Sequence, residues 1–162
     1  MNLPFPYKIY DSVADITPEE LERLRVRGLL LDIDGTLAST HVKDPAPRLL
    51  AWAKQVKEAG VRIFILSNNK SEQRARYYGQ ILDCPWMHRA GKPRPGGFHE
   101  AARRLGLEPG QLAVVGDQIY TDMLGARRAG MKGLLVRSID DVWYKPFRRL
   151  VEQPFLYKEV QK

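Results

Sequence analysis

Two carboxylates, Asp32 and Asp34, stand two residues apart behind the apolar run Leu29-Leu30-Leu31, and Gly35 and Thr36 follow them. On an extended segment alternate side chains point the same way, so both carboxylates can reach one site. Gly35 lets the chain turn sharply away. The plainer reading is an Asx-type turn that closes a strand.

Two more carboxylates, Asp117 and Asp122, follow Gly116 at the end of a second apolar run. With Asp32 they crowd at least three acids at one sheet edge, which is costly unless a cation neutralises them. Magnesium suits an all-oxygen site that keeps some waters and a substrate phosphate oxygen. For Asp122, capping a helix is the alternative, and it is compatible with supporting a metal. Ser67 and Asn68, followed by Asn69, sit where a strand hands over to a helix. A hydroxyl and backbone N–H groups at a helix start make a natural phosphate contact; alone, the same three residues are only a turn. Lys92 offers a point charge for a phosphoryl oxygen, and Pro93 biases it toward extended backbone. With 26 Lys and Arg in the chain, a lone lysine is more often a surface residue. Its weight comes from its order among the other clusters.

These residues need a scaffold that delivers strand ends to one edge. Residues 1–16 read as extended and irregular. Thr17-Pro18-Glu19-Glu20 reads as a helix start, with Thr17 as N-cap and Glu20 completing a capping box. That helix runs to about Arg27, Gly28 breaks it, and 29–33 is a buried strand. Helices are expected at 47–59, 71–82 (capped by Ser71), 95–105 and 121–129. Strands are expected at 61–66, 112–115 and 133–137, with a short one within 84–89. This alternation predicts an α/β fold with a mostly parallel sheet and helices on both faces. Ligands in such folds sit at the carboxyl ends of the strands.

The ordered set resembles the haloacid dehalogenase (HAD) superfamily of phosphohydrolases. Asp32-Ile33-Asp34-Gly35-Thr36 resembles its first motif, Ser67 its second, Lys92 its third, and Gly116-Asp117 with Asp122 its fourth. The wording of Ser67-Asn68-Asn69 and of residues 116–122 is most similar to the YqeG-type branch, itself similar to phosphatases acting on phosphatidylglycerophosphate. Gly35 departs from the Asn often found at that position. The resemblance implies a Rossmann-like three-layer sandwich and one domain over 1–162, with its motif-bearing core at about 28–138. It implies Asp32 as nucleophile and metal ligand, and Asp34 as general acid and base whose backbone carbonyl also binds Mg2+. Thr36, Ser67, Asn68 and Lys92 are implied on the phosphate side. Lys92 also steadies Asp32, and Asp117 and Asp122 complete the metal set. A helix and a strand fill most of the interval from Asp32 to Ser67, and the interval to Lys92 is also largely filled. No room is left for the cap domain that many relatives insert there, so an open site is expected.

Composition narrows the partners. Hydrophobic residues make up 44% and charged residues 28% of the 162 residues, an ordinary globular balance. The apolar runs are too short to span a bilayer. Pro4, Pro6 and Asp11 break up any signal-peptide layout, and a cytoplasmic protein is expected, with peripheral membrane contact as one variant. Cys84 is the single cysteine, which excludes an intrachain disulfide and reads as a small core residue. The net charge of +7 favours an anionic partner. The expected partner is a phosphorylated substrate, with an anionic phospholipid among the candidates and no nucleic acid. The open alternatives are a soluble phosphometabolite and a non-catalytic module that binds an anion. His41 could face substrate but reads more readily as a solvated loop residue. The stretch Trp143-Tyr144-Lys145-Pro146-Phe147-Arg148-Arg149 mixes aromatic and basic residues and fits contact with a lipid surface or nucleic acid, or packing on the sheet.

Overall fold

The structure is a computed structural model that describes residues 6–140. Its six strands are β1 (Lys8–Tyr10), β2 (Gly28–Leu31), β3 (Arg62–Leu66), β4 (Trp86–Met87), β5 (Leu112–Gly116) and β6 (Lys132–Val136). They form one sheet in the order β1-β6-β5-β2-β3-β4, and every pairing is parallel. Parallel neighbours need crossovers, and helices supply them. The helices are α1 (Pro18–Arg23), α2 (Pro47–Glu58), α3 (Glu72–Ile81), α4 (Pro95–Leu105) and α5 (Leu124–Arg128). The connection from β2 to β3 holds α2, and that from β3 to β4 holds α3.

Burial on both faces explains the near-continuous apolar strands. Residues 28–31 of β2 and 112–116 of β5 are buried throughout. Successive side chains divide between two cores. Leu29, Leu31, Ile63, Ile65, Ala113 and Val115 pack with Trp52, Val56 and Tyr78 of α2 and α3 on one face. Leu30, Phe64, Leu112 and Val114 pack with Phe98, Ala101 and Ala126 of α4 and α5 on the other. The result is helix, sheet, helix. Each fully buried large apolar side chain contributes about 1.5–3 kcal/mol relative to exposure, so these two layers hold the strand ends in place. Among the described residues no helix is long and apolar enough to cross a membrane.

Several local expectations are corrected. Residues 8–10 form β1, which pairs in parallel with β6, because an edge strand of three residues gives too few positions for a pattern to show. α1 ends at Arg23 rather than at about Arg27, so Gly28 does not break it but begins β2, in register with Arg62 and Leu112. Only half of the capping box forms: the Thr17 hydroxyl accepts from the Glu20 N–H at 3.2 Å, while the Glu20 carboxylate is drawn away to Lys8 and Arg23. The helix expected from 121 opens instead as a π-helical turn over Ile119–Met123 and continues as α5. Ser71 stands at the N-cap of α3, but its side chain makes no cap bond. Its N–H donates to Asn69 Oδ1 at 2.8 Å. The basic and aromatic stretch from Trp143 lies outside the described residues.

Candidate active site

β2 and β5 lie side by side in the middle of the sheet, and the chain crosses to opposite sides of β2 to reach β3 and β5. This is a switch point of an open α/β sheet, where a crevice forms beyond the strand ends. Asp32 leaves β2 with its N–H bonded to Val115 of β5 at 3.0 Å. Asp117 leaves β5. The two acids thus arrive together because their strands pair.

Lys92 reaches this point from the loop after β4. Its Nζ donates to Asp32 Oδ1 at 2.9 Å and to Asp122 Oδ1 at 2.7 Å. The ammonium is 3% exposed, and the Asp122 carboxylate is 1% exposed. Removing water strengthens this pairing and makes any unpaired charge expensive. One oxygen from each of Asp32, Asp117 and Asp122 falls within 4.8 Å of the others. One ammonium against three carboxylates leaves a formal excess of two negative charges in a buried cluster. Burial pushes the Asp32 carboxyl up to about 6, with the Lys92 charge opposing and Asp122 and Asp34 adding to the rise. Burial likewise raises Asp122, against the pull of Lys92. Burial alone would lower Lys92, but Asp122 and Asp32 outweigh it and raise its pKa, so it stays charged. The all-oxygen donor set and its excess charge fit a divalent cation.

Turn chemistry shapes the rest. Gly35 has φ +80°, and a Cβ there would run into the Asp117 carboxylate. Gly116 is held to glycine by the Asp122 side chain, which occupies the space of a Cβ. Thr36 sits in the turn after Asp34, with its N–H bonded to Ile33 at 3.1 Å. Its hydroxyl lies 3.3 Å from Asp32 Oδ2 and 3.4 Å from Asp117 Oδ1, linking the two acids. Asp122 accepts from the Gln118 N–H at 3.2 Å through its second oxygen. The capping and the charge-pairing roles therefore coexist in one side chain. Ser67 is buried at the end of β3, and its Oγ accepts from the Asn69 N–H at 3.1 Å. Asn68 uses its amide on the backbone of Lys92.

A chain built this way has close relatives in sequence. It is 34% identical over 153 residues to the probable phosphatase YqeG of Bacillus subtilis, covering 93% of this chain and 88% of that protein. It belongs to the HAD-type phosphatases. A family model described as HAD-hydrolase-like matches residues 89–138 of this HAD chain. Phosphatidylglycerophosphate phosphatase 1, chloroplastic, of Chlamydomonas reinhardtii is 28% identical over 146 residues, covering 85% of this chain and 54% of that protein. Among solved structures, the cobalt-bound deoxy-D-mannose-octulosonate 8-phosphate phosphatase (YrbI) of Haemophilus influenzae superposes with a TM-score of 0.59. It shares 16% identity and covers 80% of this chain and 89% of that one, which is a likeness of fold.

All the anticipated residues of this HAD phosphatase converge at the carboxyl edge. Asp34 is the most open of its acids, at 28% side-chain exposure, and is paired with Arg74 of α3 at 2.6 Å. Arg74 carries no motif signal, and Asn69, whose Nδ2 lies 3.5 Å from Asp34 Oδ2, entered only through the wording Ser67-Asn68-Asn69; sequence reasoning gave neither a role in the site. His41 is exposed on the loop after Asp34, and His99 lies against the Ala129 carbonyl at 3.3 Å on the α4 side. Cys84 packs against the core, and burial pushes its thiol up to about 12, as a structural cysteine requires.

Proposed function

We propose that this phosphatase hydrolyses phosphomonoesters through a phosphoryl group carried on Asp32, with Mg2+ as its cation. The observation that carries the reading is the buried Lys92 ammonium bonded to Asp32 Oδ1. It leaves Oδ2 on the side of Thr36 and Asp117. A carboxylate so held loses little orientational freedom when it attacks. The ester P–O bond breaks as the Asp32 O–P bond forms, and its electron pair stays on the leaving oxygen. That oxygen takes a proton from Asp34, which becomes a carboxylate. Asp34 then takes a proton from water, the resulting hydroxide attacks phosphorus, and Asp32 is released with inorganic phosphate.

Ser67 and Lys92 hold the phosphoryl oxygens, and Thr36 keeps the turn and the two acids in place. Asn68 contributes its backbone, because its amide is committed to Lys92. Asp32, the Asp34 carbonyl and Asp117 would hold Mg2+, with Asp122 supporting through its contacts to Lys92 and Gln118. When bound, the cation supplies charge neutralisation for the phosphoryl group. The chain acts as one catalytic domain over 1–162, with its motif-bearing core at about 28–138 and no cap, in the cytoplasm and at a membrane surface.

The substrate reading is a membrane-presented phosphomonoester, with phosphatidylglycerophosphate the leading candidate. It is supported by the likeness to the chloroplastic phosphatidylglycerophosphate phosphatase and by the net charge of +7. The test compares kcat/KM on phosphatidylglycerophosphate in mixed micelles with that on sugar phosphates and nucleotides. The lipid is expected to lead. A soluble ester turned over orders of magnitude faster would replace the lipid while keeping the chemistry. Absence of magnesium-dependent phosphate release from every ester would overturn the mechanism.

A further inference from the structure

Arg74 sits on α3, one turn beyond the loop that carries Ser67, Asn68 and Asn69. All three of its guanidinium nitrogens are engaged. Nε donates to Asp34 Oδ1 at 2.6 Å, Nη1 to the Val42 carbonyl at 2.8 Å and Nη2 to the Ser39 carbonyl at 2.9 Å. The group lies 5.3 Å from the ring centre of Tyr78, which is fully buried. A guanidinium is a planar fork, so three partners in different directions fix it without a choice of orientation. A lysine ammonium has neither the span nor the plane to repeat this.

Asp34 needs such a hold. Its side chain is 28% exposed, against 11% for Asp32. Its other close neighbour, Asn69, lies at 3.5 Å, the outer limit of a hydrogen bond. The segment from Ser39 to Val42 is held on its other flank by Asp140, which accepts from the Ser39 and Thr40 hydroxyls and from the Thr40 N–H at 2.9 Å. One guanidinium therefore joins the Asp34 carboxylate to the loop that borders it.

We propose that Arg74 is a positioning residue for leaving-group protonation. It locks Asp34 to the Ser39–Val42 loop, so that the proton donor and the wall beside the departing group keep one geometry. The inference rests on reading Asp34 as the proton donor. As the P–O bond breaks, the leaving oxygen keeps the electron pair and takes the Asp34 proton. The carboxylate left behind stays beside the guanidinium that already holds it. Esters of acidic alcohols depart without a proton, whereas alkyl esters need one. A positioning role therefore sorts substrates by leaving group, and a merely structural role does not.

The experiment measures kcat and KM for the full chain, Arg74→Ala and Arg74→Lys on phosphate esters of graded leaving-group acidity, from nitrophenyl to simple alkyl. Arg48→Ala, which removes an exposed ion pair with Asp15, is the control. For Arg74→Ala, kcat on alkyl esters is expected to fall about 100-fold, within the range of general-acid effects, and on nitrophenyl phosphate by less than about threefold. KM should change little, and Arg74→Lys should fall between. Amide exchange over residues 39–44 should quicken in Arg74→Ala and not in Arg48→Ala. An equal loss across the series, or none, overturns the proposal. Should the alanine variant not fold, the same comparison on Arg74→Lys decides. A wild-type chain that turns over no ester sinks the proposed function and this inference together. An active wild type with an unaltered leaving-group dependence in the variants sinks this inference alone.

Discussion

The Asn68 side chain grips the backbone of Lys92 from both sides: its Nδ2 donates to the Lys92 carbonyl at 3.0 Å, and its Oδ1 accepts from the Lys92 N–H at 2.8 Å. The loop after β3 thereby aims the ammonium delivered by the loop after β4. Asn68→Ala deletes both bonds. At about 0.5–1.5 kcal/mol each, stability in a denaturant melt should fall by about 1–3 kcal/mol. Misplacing the ammonium should lower kcat/KM by about tenfold or more. Asn68→Asp should be no better, since a carboxylate cannot donate to the Lys92 carbonyl. Unchanged melts and unchanged turnover would remove the clamp.

Asp32→Asn keeps the shape of the side chain and removes its nucleophilic charge. Turnover should drop by several orders of magnitude while circular dichroism and melting show a folded protein. Acid-quenched wild type should carry a phosphoryl group on the peptide containing Asp32, detectable by mass spectrometry, and the variant should carry none. Sustained turnover in a rigorously purified variant is incompatible with a covalent intermediate on this residue.

Metal affinity should separate the two acids of the fourth cluster. Both Asp122 oxygens are engaged, one by Lys92 and one by the Gln118 N–H, whereas Asp117 faces Asp32 across Thr36. Asp117→Ala should therefore weaken Mg2+ binding in a calorimetric titration more than Asp122→Ala does. Chelator should abolish turnover and added Mg2+ restore it. Equal, undiminished affinity in both variants would remove the assignment.

Gly116→Ala tests the close approach beneath the site. The new methyl must displace the Asp122 carboxylate, and overpacking of this kind costs about 1–3 kcal/mol. Lys92 would lose one of its two partners. Gly96→Ala, where a Cβ meets open space, serves as the control and should leave both stability and turnover intact or slightly improved. Equal behaviour of the two variants would contradict the crowding.

Much of this was legible beforehand, for physical reasons. Strands β2, β3, β5 and β6 are buried on both faces, so their apolar runs stand out, and parallel pairing then forces Asp32 and Asp117 together. Lys92 and Asp122 were legible only through their order relative to those strands. Arg74 was not, because nothing local marks it among the arginines of α3: Arg76, two positions on and so on the opposite side of the helix, pairs with Glu72 at 3.9 Å. Only the fold turns Arg74 toward Asp34. Asn68 reads as a turn residue until the Lys92 loop is brought against it. The Glu20 capping box failed for a similar reason: Lys8 lies far off in the chain but beside Glu20 in the fold.

The pairing of β1 with β6 has a consequence for how the chain is made. Lys8, Ile9 and Tyr10 emerge from a ribosome before every other strand of the sheet, yet their partners Leu134, Leu135 and Val136 are the last of the sheet to emerge. During synthesis the first strand has nothing to pair with, and β5, with its row of backbone donors and acceptors, stands as an open edge until β6 arrives. Pairings this distant in sequence carry a late entropic cost, and an uncovered strand edge is a site for unwanted association. The nascent chain therefore holds its sheet unfinished until its last strand emerges and closes both vacancies almost at once.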